Sequence, residues 1–406
     1  MPDLGAICGK GSTSVMESLA PAPHGEVLYL DLPATTPVDS RVVDVMRPLL
    51  EAQFGNPHSD HAHGSAPAEA VALAAEQIAD LLKADPGEIV FTSGATESNN
   101  AAIKGVMLSP DRRGDHIVVS AIEHKCVLEA ARSLRAFGCE VTEVLPDPGG
   151  VVREEAVEAA MRPDTALVSL MLLNNEVGTL QPVAEVARMA HECGAVVHTD
   201  AAQAVGKIPV DVLDLGVDLL SLSGHKFYGP KGIGALYVSS ACDVRLEPLI
   251  HGGGQQSGRR GGTVPAFLCA GLGEAARIVG EERHEVAADA TAAAEIFDEA
   301  LRGASPTVRR NGDPDAGTPF CRNYRFPKAD ADLMLRHLHG RLSASMGSAC
   351  TAGAIEPSHV LTAMGLTGAD ATSSLRFGFG RGTDPIAARR AATLVAEAAQ
   401  RSMTID

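Results

Sequence analysis

Two charged side chains close apolar runs that read as consecutive buried strands. Asp200 ends AVVHTD (195–200), and Lys226 follows VDLLSLS (217–223). A carboxylate at the end of an apolar strand is costly unless a cation meets it, and a protonated pyridinium nitrogen is such a cation. Lys226 sits in a Ser-, His- and Gly-rich turn, SLSGHKFYGPKGIG (221–234). A lysine there becomes a nucleophilic amine, able to form a Schiff base, once its ammonium is partly desolvated. Upstream, TSGATESNN (92–100) leaves a strand and opens a helix. Gly94 permits the tight turn, and the amides of Ala95 and Thr96 with the helix macrodipole make a seat for a phosphate. Read singly, the turn is equally a plain helix cap and the lysine a solvated surface charge. Read together, phosphate seat, carboxylate and lysine at neighbouring strand ends describe a site for pyridoxal phosphate.

Eight cysteines stand at 8, 126, 139, 193, 242, 269, 321 and 350. None forms a CxxC or zinc-ribbon pair, and eight in 406 residues are too sparse for a disulfide scaffold, so free thiols in a reducing cytoplasm are expected. Cys350 differs from the rest in its setting, SMGSACTAGAIEP (345–357), where small residues replace any apolar pattern that would bury it. Reactive thiols need such partial exposure. Cys126 lies in EHKCV (123–127) on a helix and reads as packing. His58, His61 and His63 share a loop, but with no HExxH or cysteine partner they read as a non-metal loop.

These residues need a scaffold that gathers strand ends. EIVFTSG (88–94), HIVVS (116–120), TALVSLML (165–172), AVVHTD and VDLLSLS read as buried strands. Helix-like stretches at 66–84, 96–107, 123–137 and 182–193 alternate with them, which predicts a mainly parallel sheet covered on both faces. GIGALYV (232–238) follows its predecessor closely and is expected to pair antiparallel. After about 262 the pattern turns to long Ala-rich helices, a strand at SLRFGFG (374–380) and a final helix from about 385. The expected division is a leader at 1–26, a large α/β domain at 27–263 and a smaller α+β domain at 264–406, with 27–45 packing on the latter. Residues 1–26 lack a basic start and a continuous apolar run, which argues against a secretory signal.

Composition narrows the function. Lys plus Arg number 34 against 51 Asp plus Glu, a formal charge of −17, which opposes broad binding to phosphate backbones. The two arginines in HGGGQQSGRRGGT (251–263) have no aromatic neighbours and do not make an RNA-binding segment. No apolar run reaches the ~18–20 residues of a membrane span.

The chain resembles the cysteine desulfurases of the NifS/IscS type, which are class V aminotransferase-like, fold-type I pyridoxal-phosphate enzymes with a seven-stranded sheet. The matching stretches are YLDLPATTPVD (29–39), FGNPHSDHAHG (54–64), FTSGATESNN (91–100), EHKCV, NNEVG (174–178), HTDAAQAVGK (198–207), SGHKFYGPKGIG (223–234), HGGGQQSGRRGGT, GSACTAGAIEPSHVL (347–361) and SLRFGFGR (374–381). They run in the family's order over roughly residues 27–390. The resemblance implies that Lys226 binds the cofactor covalently and Asp200 holds the pyridinium charge. Ala95, Thr96, Ser223 and His225 would hold the phosphate, and Gln203 would reach the ring hydroxyl. His124 would stack on the ring and move protons. Asn175 would touch cofactor and substrate, and Arg376 would grip the substrate carboxylate. Thr263 would complete a neighbouring subunit's phosphate site, which implies a homodimer.

Cys350 takes the position of the nucleophile. The implied reaction turns L-cysteine into L-alanine, leaving a persulfide on Cys350 for an acceptor in iron–sulfur cluster assembly, tRNA thiolation or DNA phosphorothioate modification. Selenocysteine lyase, another class V lyase or aminotransferase, and a non-catalytic scaffold are the competing readings. Two departures stand out. Leu32 and Pro33 follow Asp31 where the family commonly has an asparagine next, and Gly261-Gly262 precedes Thr263 where the family often has Ser-Gly. The first puts in doubt polar contacts at the mouth of the site, and not the cofactor site.

Overall fold

The computed structural model describes residues 27–347 and 357–403. The leader assigned to 1–26 and the nucleophile assigned to Cys350 lie outside the described residues.

The chain opens with β1 (Leu28–Tyr29), α1 (Ser40–Glu51) and α2 (Ala62–Leu82). There follow β2 (Ile89–Thr92), α3 (Ala95–Met107), β3 (His116–Ser120), α4 (Lys125–Ser133) and β4 (Glu140–Val144). Next come α5 (Glu154–Ala160), β5 (Thr165–Ser169), α6 (Val183–Glu192), β6 (Val196–Asp200), α7 (Val212–Leu215), β7 (Leu219–Ser223) and β8 (Gly234–Val238). These build a seven-stranded sheet in the order β2-β8-β7-β6-β5-β3-β4. β8 runs antiparallel to both of its neighbours, and every other pairing is parallel. Every residue of β5, β6 and β7 is buried, as continuous apolar strands covered on both faces require.

The expected strand at 165–172 stops as a ladder at Ser169. The chain still runs beside β6, with Leu170 and Leu172 donating to His198 and Asp200 carbonyls at 3.1 and 3.0 Å. β4 escaped the sequence reading because EVTEV is an edge strand whose polar residues interrupt any apolar run. α1 escaped it as well. Its first turn is capped by Asp39, which accepts from the Arg41 amide at 2.9 Å, while Pro48 sits inside the helix.

The second part begins with α8 (Ala266–Ala304), one unbroken helix where several were expected. At 39 residues it is about 58 Å long. Its first half sends Cys269, Leu272 and Val279 into the core against the large sheet. Its second half packs Phe297 and Leu301 against Tyr324, Phe377 and Phe379. Those aromatics come from β10 (Cys321–Arg325), β12 (Ser374–Gly378) and the residue just beyond, with β9 (Arg309–Asn311) completing a three-stranded antiparallel sheet, β12-β10-β9. Phe297 and Phe377 stack with centroids 4.9 Å apart. The remaining elements are α9 (Ala331–Leu338), β11 (Leu342–Ser343), α10 (His359–Ala363), α11 (Gly368–Thr372) and α12 (Pro385–Arg401). β1 pairs with β11, and residues 30–36 run from there over the end of the large sheet. That placement brings the N-terminal segment to the ends of β6 and β7.

Candidate active site

The carboxyl ends of β2, β6 and β7 open into a cavity of about 900 Å³. Lys226, Asp200, His124, Asn175, Gln203, Ser223, His225, Arg376, Ala95 and Thr96 all line it. Thr263 does not line it and is exposed.

Lys226 ends a single helical turn (224–226) directly after β7. Its Nζ donates to the carbonyls of Pro33 and Ala34 at 2.8 and 2.9 Å. Burial, and then the Arg376 charge, bring its ammonium down to about 8. The same segment fixes His225, whose Nδ1 lies 3.1 Å from Thr35 Oγ1 and whose carbonyl accepts from the Thr36 amide at 2.9 Å. Burial, followed by Lys226, pushes His225 down to about 4, so its ring is neutral at physiological pH.

Asp200 is buried, and among the described residues its oxygens accept only from amides. Asn99 Nδ2 donates to Oδ2 at 2.7 Å and the Ala202 amide to Oδ1 at 2.9 Å. Among the described residues it makes no ion pair, so the cation that a buried carboxylate calls for is left to come from a ligand. At α3, Gly94 takes φ +143°, a backbone few other residues adopt. The first amides of a helix have no intrahelical acceptor, and here Ala95 and Thr96 line the cavity together with Ser223.

His124 caps α4, with Nδ1 accepting from the Cys126 amide at 3.2 Å. Burial lowers its pKa, and the cap bond keeps the neutral ring's proton on Nε2. Arg376 is buried on β12. It donates to the Asn175 carbonyl at 2.9 Å and pairs with Asp31 Oδ1 at 2.8 Å. Among the described residues, its Nε and the side-chain Oδ1 of Asn175 are buried without partners.

The structure adds residues that the sequence reading passed over. Cys126, expected to be packing, also lines the cavity, its Sγ 2.9 Å from His124 Nδ1 and 3.1 Å from Asn99 Nδ2. Its position two residues after His124 on a capped helix was the available signal. Glu123 is buried, with Oε1 accepting from the Met171 amide at 2.6 Å and Oε2 unpartnered. Burial, and then Asp200, raise it well above the ordinary carboxylate range. Glu176 is also raised by burial and holds Ser358 at 2.5 Å. His359 closes one side of the cavity with Nε2 2.9 Å from the Glu123 carbonyl. His61 and His63 stack edge to face at 5.9 Å, and among the described residues no group of three metal-ligating side chains forms. No helix among them is long and apolar enough to cross a membrane.

The model of the aminotransferase class-V family matches residues 28–385. The chain belongs to that family. Within it, the chain is 47% identical over 357 residues to a human cysteine desulfurase, covering 88% of this chain and 78% of that protein. Among solved structures it resembles a NifS-like protein at a TM-score of 0.85 and 34% identity, covering 91% and 98% of the two chains. It also resembles a structure described as SspA in complex with cysteine, at a TM-score of 0.78 and 42% identity, covering 87% and 99%. Class V aminotransferases and cysteine desulfurases depend on pyridoxal phosphate. The cavity fits that group. It offers a carboxylate without a cation, an amine near neutrality, free helix-start amides and unpartnered amide and guanidinium atoms.

Proposed function

We propose that this chain is a pyridoxal-phosphate-dependent cysteine desulfurase, working in the cytoplasm as a homodimer and passing sulfur from Cys350 to an acceptor protein. The observation that carries it is the convergence of Lys226, Asp200, the α3 amides and Arg376 on one cavity. The identity to cysteine desulfurases and the likeness to a cysteine-bound structure support the substrate. In this reading Lys226 holds the cofactor, Asp200 its ring nitrogen, and Ala95, Thr96, Ser223 and His225 its phosphate. Gln203 meets the ring hydroxyl and Asn175 turns Oδ1 to cofactor and substrate. Exposed Thr263 serves the phosphate site of a second copy. The same reading divides the chain at 263/264 into a cofactor domain and a smaller domain.

When bound, the cofactor supplies an electron sink for bond breaking at the substrate's α-carbon. The protein supplies the rest. Arg376 orients the substrate through its carboxylate. Lys226 Nζ, with a pKa near 8, takes and returns the proton at the α-carbon, and His124 Nε2–H moves one at the ring face. The −17 charge argues for a protein or small carrier as the sulfur acceptor.

The test is direct. The full chain, loaded with cofactor and given L-cysteine with a thiol reductant, is expected to release alanine and sulfide in equal amounts. Absence of alanine overturns the proposal. Arg376→Gln removes one charge-assisted contact, on the order of 1.5–3 kcal/mol, so KM for cysteine is expected to rise by about 10- to 150-fold. A steady-state titration checks this, with kcat falling far less than KM rises.

A further inference from the structure

One cation beside the cavity has no part in that mechanism. Lys207 lies seven residues after Asp200, and its Nζ donates to Gln203 Oε1 at 2.5 Å. Gly206, at φ +79°, turns the chain just before it, and a Cβ there would meet Phe227 Cβ at 2.6 Å. Gln203 is buried and lines the cavity, and its Nε2 donates to the Pro33 carbonyl at 2.7 Å. The same carbonyl accepts Lys226 Nζ at 2.8 Å. Lys207, Gln203, Pro33 and Lys226 thus form one continuous run of donors and acceptors, from behind the cavity to the reactive amine.

A carboxamide has nearly the same shape either way round, and its partners decide its direction. An ammonium carries donors only, so Lys207 faces the oxygen and leaves the NH2 on the cavity side. We propose that Lys207 is a positioning residue that fixes the Gln203 carboxamide with its NH2 toward the cavity and strengthens it as a donor to the cofactor's ring oxygen. The inference rests on the cofactor reading given above. A charge-assisted bond at the amide oxygen polarises the amide and makes its N–H groups better donors. The groups that act on Lys207 are Lys226 and Arg376 as like charges and the Cys321 thiol. Burial, then Lys226, bring Lys207 down to about 7. The Pro33 carbonyl, an acceptor only, takes the Gln203 NH2 at 2.7 Å whatever the charge on Lys207, so the carboxamide keeps its direction on both sides of that value.

The readout is the pH midpoint of the visible absorbance of the cofactor linked to Lys226, measured on the full-length holoenzyme. A weaker donor at the ring oxygen and one less positive charge nearby both favour the protonated linkage. Lys207→Met is therefore expected to raise the midpoint by about one pH unit. Lys207→Arg keeps donor and charge and is expected to stay within about 0.3 of wild type. In a Gln203→Leu background the oriented donor is gone, and the further shift caused by Lys207→Met should shrink to less than half. An unshifted midpoint in Lys207→Met, with the band present, overturns the inference and leaves the cofactor reading standing. A wild-type protein without a Lys226-dependent band overturns both. Should Lys207→Met not fold, Lys207→Gln is read in its place. Its amide offers no fixed donor and no charge, so the same upward shift is expected, and its absence is equally fatal.

Discussion

Lys226→Ala is expected to abolish the visible cofactor band and to lower alanine release from cysteine by on the order of 10⁵-fold, as loss of a covalent catalytic group does. The size follows from what the site does to this one amine. Two carbonyls hold it at 2.8 and 2.9 Å, and burial with Arg376 brings it to about 8. At pH 8 about half of it is then neutral and nucleophilic, against roughly 0.3% for an ordinary lysine. Cofactor incorporation into the apo protein is accordingly expected to speed up with pH through about 8 and then level off. Lys226→Arg keeps a charge but supplies no nucleophile, so it should fail as completely as alanine. The same depressed pKa makes a stability prediction. Between about 8 and 10.5 the unfolded chain binds more protons than the folded apo protein at this residue, so folding stability gains from Lys226 as pH rises across that window. Thermal unfolding of the apo protein measures this, and Lys226→Met should flatten that part of the slope. A Lys226→Ala protein that keeps both the band and its turnover ends the assignment.

How much of this was legible in the sequence depends on what each residue must satisfy. The strands that end at Asp200 and Ser223 were readable because they are buried on both faces, which leaves continuous apolar runs with a polar residue only at the end. Asp200 and Lys226 could be picked out because charge at such an end is costly. The rest depends on partners distant in sequence. Pro33 and Ala34 lie 193 and 192 residues from Lys226, and nothing local marks their carbonyls as its resting acceptors. The departure at Leu32 and Pro33 was expected to touch only the mouth of the site; the Pro33 carbonyl instead meets Lys226 Nζ, and backbone acceptors are blind to side-chain identity. The Asp31–Arg376 pair spans 345 residues and is likewise invisible to pattern. Glu123 precedes His124 directly, yet its partner is the Met171 amide, 48 residues on, which no periodicity marks. Lys207 was printed in the same motif as Asp200 and Gln203, but only the fold shows that it turns back onto the glutamine.

Cys350→Ser is expected to eliminate the protein-bound persulfide while the cofactor band stays intact. In the proposed reaction the Cys350 thiolate would attack the sulfur of substrate cysteine, a new S–S bond would form, and the Cβ–S bond would break. The β-carbon gains the electron pair and a proton to become the methyl group of alanine, while the two sulfurs are oxidised to the persulfide level. A reductant outside the site later returns Cys350 to a thiol, in keeping with the reducing cytoplasm proposed for this protein. The cavity holds a rival thiol, and its burial argues against it. Cys126 lines the same cavity, but burial and then the Asp200 charge push it up to about 12. At pH 8 its thiolate fraction is on the order of 10⁻⁴, against roughly a quarter for an unperturbed cysteine. Cys321 is likewise pushed up by burial, to about 11, and burial also raises Cys269, Cys139 and Cys242. Burial thus disfavours the thiolate at each of these five cysteines, and the proposed nucleophile, Cys350, is none of them. Alkylation of the enzyme after one turnover, followed by peptide mass analysis, locates the extra sulfur. It should appear on the Cys350 peptide of wild type and of Cys126→Ser, and on no peptide of Cys350→Ser. Persulfide on Cys126 in the wild type, or full alanine release by Cys350→Ser, would move the nucleophile into the cavity wall and refute the assignment.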